Sequence, residues 1–378
     1  MAIGNHRPTT ITLDGQALVH NIEVARKQFA KDTYLFAVVK ANAYGHGVKE
    51  VAALAKKAKV DGYAVAILDE GLELRDLGYK TDTILVLGIT PPTQVLLAAK
   101  YGISLTVGDI SWLETATTFL CEQNLAPLKV HIAVDTGMGR IGARNTDELL
   151  NMIEFIEKQP NLFEFEGLFT HFATADDDNP EYFKKQLANW QTALAAVKNL
   201  PKFVHAANSA ATLWHNQDVY TNVIRLGAGM YGFNPSGKTL GAPNLQPVLS
   251  LQSEIVFVKK VPANTKISYG ATYVTKKTEW IATLPIGYAD GYLRRMQGYK
   301  VLIDGETAEI VGRVTMDQMM IRLACYYPIG TSVTLIGGSQ GAYLGAVDLA
   351  EYAKTIPYEI VTNLSSRIKR EVKMDDSK

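Results

Sequence analysis

The run TYLFAVVKANAYGHG, Thr33 to Gly47, decides the fold. It opens on apolar and β-branched residues, at the length of a fully buried strand, and breaks at Lys40 into a turn of small residues bearing Gly45 and Gly47. A lysine at the carboxyl end of such a strand stands where open α/β sheets and barrels keep their chemistry. Apolar surface behind it disfavours the ammonium form, and the neutral amine can form a Schiff base with a carbonyl. Lysines at strand ends more often snorkel to solvent, so a role for Lys40 needs support from the rest of the chain.

Outward from this run the same unit recurs. A strand at Thr9 to Asp14 precedes a helical pattern with Leu18, Ile22, Ala25 and Phe29 on one face. After the Lys40 strand comes a helix through Val48, Val51, Ala52 and Ala55. Further strand-like runs lie at 62–67, 83–87, 103–107, 129–135, 165–171, 202–208 and 222–227, with helical patterns such as 147–158 and 181–198 between them. Counted from the Lys40 strand these make eight β-then-α units by residue ~235, as a (β/α)8 TIM-like barrel of about 250 residues requires. An open doubly wound sheet is disfavoured because no GxGxxG opens a helix after the first strand.

Near GKTLGAPNLQP, residues 237–247, glycine and proline cluster and short alternating strands follow: LSLQSEIVFVKKV, EWIATLPIGY, YKVLIDGETAEIVGRV and SVTLIGG. The pair Asp304-Gly305 signals a hairpin. The predicted organisation is an α/β barrel over 1–240, whose first ~12 residues pair with the C-terminal part, and a mostly β domain over 241–378. That domain ends in helical segments from about Val347 onward, interrupted by Pro357.

The chain has 378 residues, with 38 Lys+Arg balanced by 38 Asp+Glu, which argues against nucleic acid or a membrane surface as the main partner. Cys121 and Cys325 show no metal-ligand spacing and read as two reduced, buried thiols. No metal site is expected. No apolar run reaches the ~18 residues of a membrane span, and no signal-peptide core stands at the amino terminus. The expectation is a soluble, cytoplasmic protein.

In a barrel, the loops after the seventh and eighth strands form the usual phosphate site. Here they are HAANSA, with Asn208 and Ser209, and RLGAGMYG, with Gly227, Ala228 and Gly229. Small residues let backbone N–H groups approach phosphate oxygens, and a serine hydroxyl adds a bond. Tight loop packing explains such glycines equally well. Together with a Schiff-base lysine, however, they suggest an aldehyde cofactor carrying a phosphate, namely pyridoxal 5'-phosphate.

VKANAYGHG (39–47), VDTGMGRIG (134–142), LFTHFA, the AANSA and RLGAGMYG pair, SYG (268–270), PIGYADGY and TMDQMM together resemble bacterial alanine racemase, in order and over nearly the whole chain. The resemblance implies a pyridoxal-phosphate enzyme that interconverts L- and D-alanine by a two-base mechanism and supplies D-alanine for cell-wall peptidoglycan. Lys40 would hold the cofactor and serve as the base on one face of the substrate. Tyr269 would serve the other face, where it abstracts the α-proton of the L-enantiomer. Tyr44, Asn208, Ser209, Gly227, Ala228 and Tyr358 would hold the phosphate end. Arg225 would face the pyridine nitrogen and, since an arginine keeps its proton, leave that nitrogen unprotonated. His171 would link Arg225 to the tyrosine, whose phenol ordinarily titrates near 10 and must be pulled down to act near neutrality.

The resemblance also implies that Tyr269 reaches the site of a partner subunit, which makes a homodimer with shared sites a catalytic requirement. Arg140, Met316 and Asp317 would line the substrate pocket, and Asp176, Tyr288, Arg294 and Arg313 the channel by which substrate enters; ordinary polar interface groups are an equal reading of these last four. The chain departs from the family in three places. Ala133 stands where a carbamylated lysine is common, so another anion, such as chloride or a nearby carboxylate, is expected beside Arg140, or a looser Arg140. Thr315 replaces a cysteine, so thiol reagents should not act there. Ala228 replaces a bulkier residue in some relatives, without loss because its N–H is what matters.

Three rivals are weaker. A barrel decarboxylase of basic amino acids normally pairs the pyridine nitrogen with a carboxylate, against which Arg225 speaks. A racemase for another amino acid is disfavoured by the bulk of Tyr269, Tyr288, Met316 and Tyr358. A pyridoxal-phosphate carrier without turnover would lack the β domain and Tyr269.

Overall fold

The computed structural model describes residues 2–121, 123–237, 239–241 and 244–374. Of the predicted linker, Lys238, Ala242 and Pro243 lie outside the described residues, as do the last four residues of the predicted C-terminal domain. The chain forms two compact units: residues 17–43 with 51–247, and residues 1–16 with 44–50 and 248–378.

The first unit is built on eight parallel strands: β2 (Tyr34–Val38), β3 (Gly62–Val65), β4 (Thr83–Ile89), β5 (Ser104–Val107), β6 (Leu128–Ala133), β7 (Phe163–Phe169), β8 (Phe203–His205) and β9 (Val223–Leu226). β1 (Thr9–Asp14) belongs to the other unit. The order is β8-β7-β6-β5-β4-β3-β2-β9. The end strands β8 and β9 meet through Asn222 N–H to Val204 O at 2.8 Å and Arg225 N–H to Ala207 O at 2.9 Å, which closes the ring. The strands are short and mainly apolar because both of their faces are covered. Phe36, Leu85, Phe203 and Val223 form one packed layer, with the rings of Phe36 and Phe203 edge to face at 5.1 Å. Burying each such side chain stabilises the fold by about 1.5–3 kcal/mol.

The connecting helices follow the apolar periodicity. Helix Thr146–Glu157 buries Leu149, Met152, Ile153 and Ile156, and Asn145 caps it by accepting from Glu148 N–H at 2.9 Å. The first helix, Gly15–Arg26, buries Leu18, Ile22 and Ala25 but stops before Phe29, which the periodicity had included.

In the second unit the remaining strands are β10 (Leu249–Glu254), β11 (Phe257–Val261), β12 (Lys266–Ile267), β13 (Tyr273–Val274), β14 (Glu279–Leu284), β15 (Lys300–Ile303), β16 (Glu306–Ile310), β17 (Met319–Leu323), β18 (Ser332–Ser339), β19 (Ala342–Leu344) and β20 (Lys369–Lys373). The main sheet runs β11-β14-β17-β16-β15-β18-β10-β1-β20. β1 lies between β10, antiparallel, and β20, parallel. Asp304 and Gly305 take φ of 49° and 82° between β15 and β16, the two left-handed positions of a tight hairpin. Pro357 opens the helix Pro357–Thr362, rather than interrupting one, since its fixed φ suits a first helical position.

One expectation is corrected. Cys121 and Cys325 are both exposed, because each lies in a connection just beyond an element, the former after helix Ile110–Leu120 and the latter after β17. No helix among the described residues is long and apolar enough to cross a membrane.

Candidate active site

Lys40 stands two residues beyond the end of β2, at the start of a left-handed turn. Ala41, Asn42, Ala43 and Tyr44 have φ between 51° and 53°. Such a conformation costs about 1–2 kcal/mol per non-glycine residue, so other contacts must hold it. Glu70 supplies one: its Oε1 accepts from Ala41 N–H at 2.6 Å while its Oε2 accepts from Ala66 N–H at 2.7 Å. Burial first, and then the charges of Arg140 and Arg225, lower the Lys40 amine from its ordinary range, against an opposing pull from Glu70.

Arg225, at the end of β9, is 3% exposed. Its Nη1 donates to His205 O and to His205 Nδ1, both at 2.8 Å. Its Nη2 donates to Thr170 O at 2.8 Å and to His171 Nδ1 at 3.3 Å. These bonds engage the two terminal nitrogens and leave Nε–H as the donor outside them. Burial, and then Arg140, lower Arg225 to about 9, so it is charged at neutral pH. Burial and the Arg225 charge lower His171 to about 3, so its imidazole is neutral, with the proton on Nε2 because Nδ1 accepts.

At the ends of β8 and β9, Ser209 Oγ accepts from Gly227 N–H at 3.0 Å and from Gly229 N–H at 3.2 Å. Its own proton remains to be donated. Asn208 Oδ1 caps the helix Ser209–Trp214 through Ala211 N–H at 2.9 Å. Ala228 N–H opens the turn Ala228–Tyr231, where a first N–H has no partner within the turn. This is a donor set for an oxyanion, and it fits a phosphate beside an amine and a buried guanidinium.

Arg140 is exposed and lies on a loop held by Asp135, whose Oδ1 accepts from Gly137 N–H at 3.0 Å and Gly139 N–H at 2.9 Å. Among the described residues no carboxylate pairs with it. Ala133, Arg140 and His171 border a cavity of about 10 Å³, room for a single water-sized sphere. Asp176 is half-buried on the loop following β7.

The second unit carries the other predicted residues. Tyr44 and Tyr358 meet edge to face at 6.1 Å, and burial pushes the Tyr44 phenol up to about 12, so it stays a donor. A Cβ at Gly45, where φ is 75°, would overlap Val361 O, so only glycine passes there. Tyr269 is 71% exposed, between Ser268 and Gly270 at φ of 65° and 73°. Ser268 Oγ donates to Arg313 O at 2.7 Å, and the Arg313 guanidinium packs over Gly270, which fixes the tyrosine's turn. Tyr288 N–H and Ala289 N–H donate to Thr315 O and Met316 O, each at 3.0 Å, which ties PIGYADGY to TMDQMM. Asp317 accepts from Arg367 at 2.8 Å, whereas Arg294 is exposed on its own turn.

Sequence reasoning missed Glu70 and a buried polar line formed by Ser104, His131, Glu166 and His205. A partial signal was present: each of the last three is a polar residue within a run read as a buried strand.

A closed parallel barrel with a desolvated lysine amine, a buried arginine and an oxyanion cradle defines a barrel enzyme built around a lysine. Residues 13–235 match the family described as alanine racemase, N-terminal domain, and residues 248–372 the alanine racemase, C-terminal domain. The alanine racemase of Ligilactobacillus salivarius (strain UCC118) is 50% identical over 371 residues, covering 98% of this chain and 99% of that one. The crystal structure of alanine racemase from E. faecalis superposes with a TM-score of 0.95 at 46% identity, covering 99% and 100% of the two chains. The histidine racemase from Leuconostoc mesenteroides subsp. sake NBRC 102480 superposes with a TM-score of 0.93 at 35% identity, covering 98% and 100%. The chain belongs to the alanine racemase family.

Proposed function

We propose that the chain interconverts L- and D-alanine with pyridoxal 5'-phosphate, as a cytoplasmic homodimer that supplies D-alanine for peptidoglycan. The observation that carries this reading is the pairing of a Lys40 amine lowered by burial with an Arg225 whose terminal nitrogens are engaged and whose Nε–H is not. Alanine is favoured over histidine because identity to the named alanine racemases reaches 50%, against 35% to the named histidine racemase.

When bound, the cofactor withdraws electrons from the α-carbon of the amino acid and so acidifies its proton. Lys40 Nζ would hold the cofactor and, as a free amine, carry a proton on one face of the substrate. Tyr269 Oη carries a proton on the other, taking it from L-alanine as Lys40 gives one. The reverse exchange turns D-alanine into L-alanine. Arg225 keeps a positive charge and would offer its Nε–H to the ring nitrogen of the cofactor, a donor that would leave that nitrogen unprotonated. His171, neutral with its proton on Nε2, donates toward the Tyr269 oxygen and favours the phenolate. Ser209, Asn208, Gly227 and Ala228 would hold the phosphate, and the family resemblance gives Tyr44 and Tyr358 the same part. Arg140, Met316 and Asp317 orient the substrate carboxylate, while Asp176, Tyr288, Arg294 and Arg313 line its approach. The exposure of Tyr269 on its own unit supports its use by a partner subunit.

Reduction of the cofactor-loaded protein with borohydride, followed by peptide mass mapping, tests the attachment at Lys40. A chiral assay against alanine, serine and histidine tests the substrate. Turnover of histidine ahead of alanine would overturn the substrate assignment.

A further inference from the structure

A line of hydrogen bonds runs through the barrel core from Arg225 to a carboxylate on another strand. Arg225 Nη1 donates to His205 Nδ1 at 2.8 Å, His205 Nε2 lies 2.8 Å from His131 Nδ1, and His131 Nε2 lies 3.0 Å from Glu166 Oε2. Ser104 Oγ donates to Glu166 Oε2 at 2.5 Å, and Lys129 Nζ to Oε1 at 2.9 Å. His131 and His205 are fully buried, and Glu166 is 2% exposed.

The two ends settle every proton between them. A guanidinium only donates, so His205 Nδ1 is bare and its proton is on Nε2. That N–H points to His131 Nδ1, which must also be bare, so the His131 proton is on Nε2 and is donated to the carboxylate. Both imidazoles are therefore neutral and point the same way. An imidazolium at His131 would leave His205 without a proton on either nitrogen, which neutral imidazole does not permit. Since an arginine does not release its proton, the line is a lock on tautomers and not a route for protons. Burial alone would raise Glu166, but the bonds from His131, Ser104 and Lys129 hold it down to about 2.

We propose that Glu166 is a positioning residue for Arg225: acting through His131 and His205, it fixes both histidines as Nε2–H tautomers and so keeps the guanidinium in the orientation that leaves its Nε–H unengaged. This rests on the reading of Arg225 given above. Aromatic rings hold the line in place, with His205 stacked on Phe169 at 4.8 Å and 2° and His131 on Phe203 at 5.9 Å. The charged and titratable groups along it are Lys129 on β6, Glu166 on β7, the two histidines, Arg225 and, beyond it, His171.

The Glu166→Gln variant keeps the shape but offers an amide that can donate. Once the amide donates to His131 Nε2, both tautomers reverse and His205 presents Nδ1–H to the arginine. The test is nitrogen-15 NMR of the histidines in the cofactor-free chain, wild type and Glu166→Gln, with alanine kinetics and the absorption of bound pyridoxal phosphate alongside. The expected wild type shows both histidines bare at Nδ1 and protonated at Nε2, as the bonds along the line require. In Glu166→Gln at least one tautomer reverses, the absorption maximum of the bound cofactor moves, and kcat falls about ten- to hundredfold, as when an outer partner of a ligand is lost, with KM less affected. An Nδ1–H or an imidazolium in the wild type overturns the proposal, and this arm needs no variant to fold. Unchanged tautomers together with kinetics within twofold of wild type overturn it as well. A wild type that neither binds pyridoxal phosphate nor racemises alanine sinks the proposed function instead, a result the NMR of the cofactor-free chain does not share.

Discussion

Gly167 on β7 lies so close to His131 on β6 that a Cβ at position 167 would overlap the imidazole Nδ1. The glycine thus makes room inside the barrel for a ring that apolar strands would otherwise exclude, and the β6–β7 register shifts at Val130 and His131. Gly167→Ala should cost about 3 kcal/mol through overpacking. Thermal melts should fall by roughly 5–10 °C. A melt within 1 °C of wild type, a change of about 0.5 kcal/mol or less, would contradict this packing.

Tyr269→Phe separates chemistry from folding. The side chain is 71% exposed, so stability should change by about 0.5 kcal/mol or less. Loss of the hydroxyl removes a general base, so conversion of L- to D-alanine should fall by about 10²–10⁴ while cofactor binding persists. Steady-state assays in both directions and a cofactor titration measure this, and full activity would leave Tyr269 without its proposed role.

Arg225→Lys replaces a fork that serves Thr170 O, His205 O, His205 Nδ1 and His171 Nδ1 with a single ammonium. Several of these acceptors would be left bare in the barrel core, at about 1–3 kcal/mol each. Denaturant unfolding should register that loss, and racemisation should fall with it. A lysine variant of wild-type stability would show that these bonds hold nothing.

Acid stability gives a fourth check. Glu166 is held at about 2, below the ordinary ~4.3 of a glutamate. A carboxyl lowered in the folded state contributes stability above its unfolded pKa and loses it as pH falls through the folded one, here from about pH 5 downward. His171, at about 3, acts in the same direction, since the unfolded chain binds its proton first as pH falls below ~6.5. Unfolding free energy should therefore drop steeply from pH 5 to 2 in the wild type and less steeply in Glu166→Gln. Parallel curves for the two would remove Glu166 from this account.

The barrel strands were legible because most are runs rich in β-branched and apolar residues between turn residues, a pattern that burial on both faces imposes. The hairpin at Asp304-Gly305 was legible because left-handed φ values select those residues. The turn after Lys40 was legible from its small residues and glycines, but its left-handed course was not, since Ala41, Asn42, Ala43 and Tyr44 carry no glycine and are held left-handed partly by Glu70, far along the chain. The line from Arg225 to Glu166 was hidden for a similar reason. Its members come from four strands, and only closure of the barrel brings them within hydrogen-bond reach. The exposure of Cys121 and Cys325 also depends on where elements end, which composition does not encode.

The most direct test of the racemase reading is proton NMR of L-alanine in heavy water with the pyridoxal-phosphate-loaded protein, followed by chiral analysis. Loss of the α-proton signal with accumulation of α-deuterated D-alanine is the predicted result. A bound cofactor with the α-proton retained and L-alanine unchanged would contradict it.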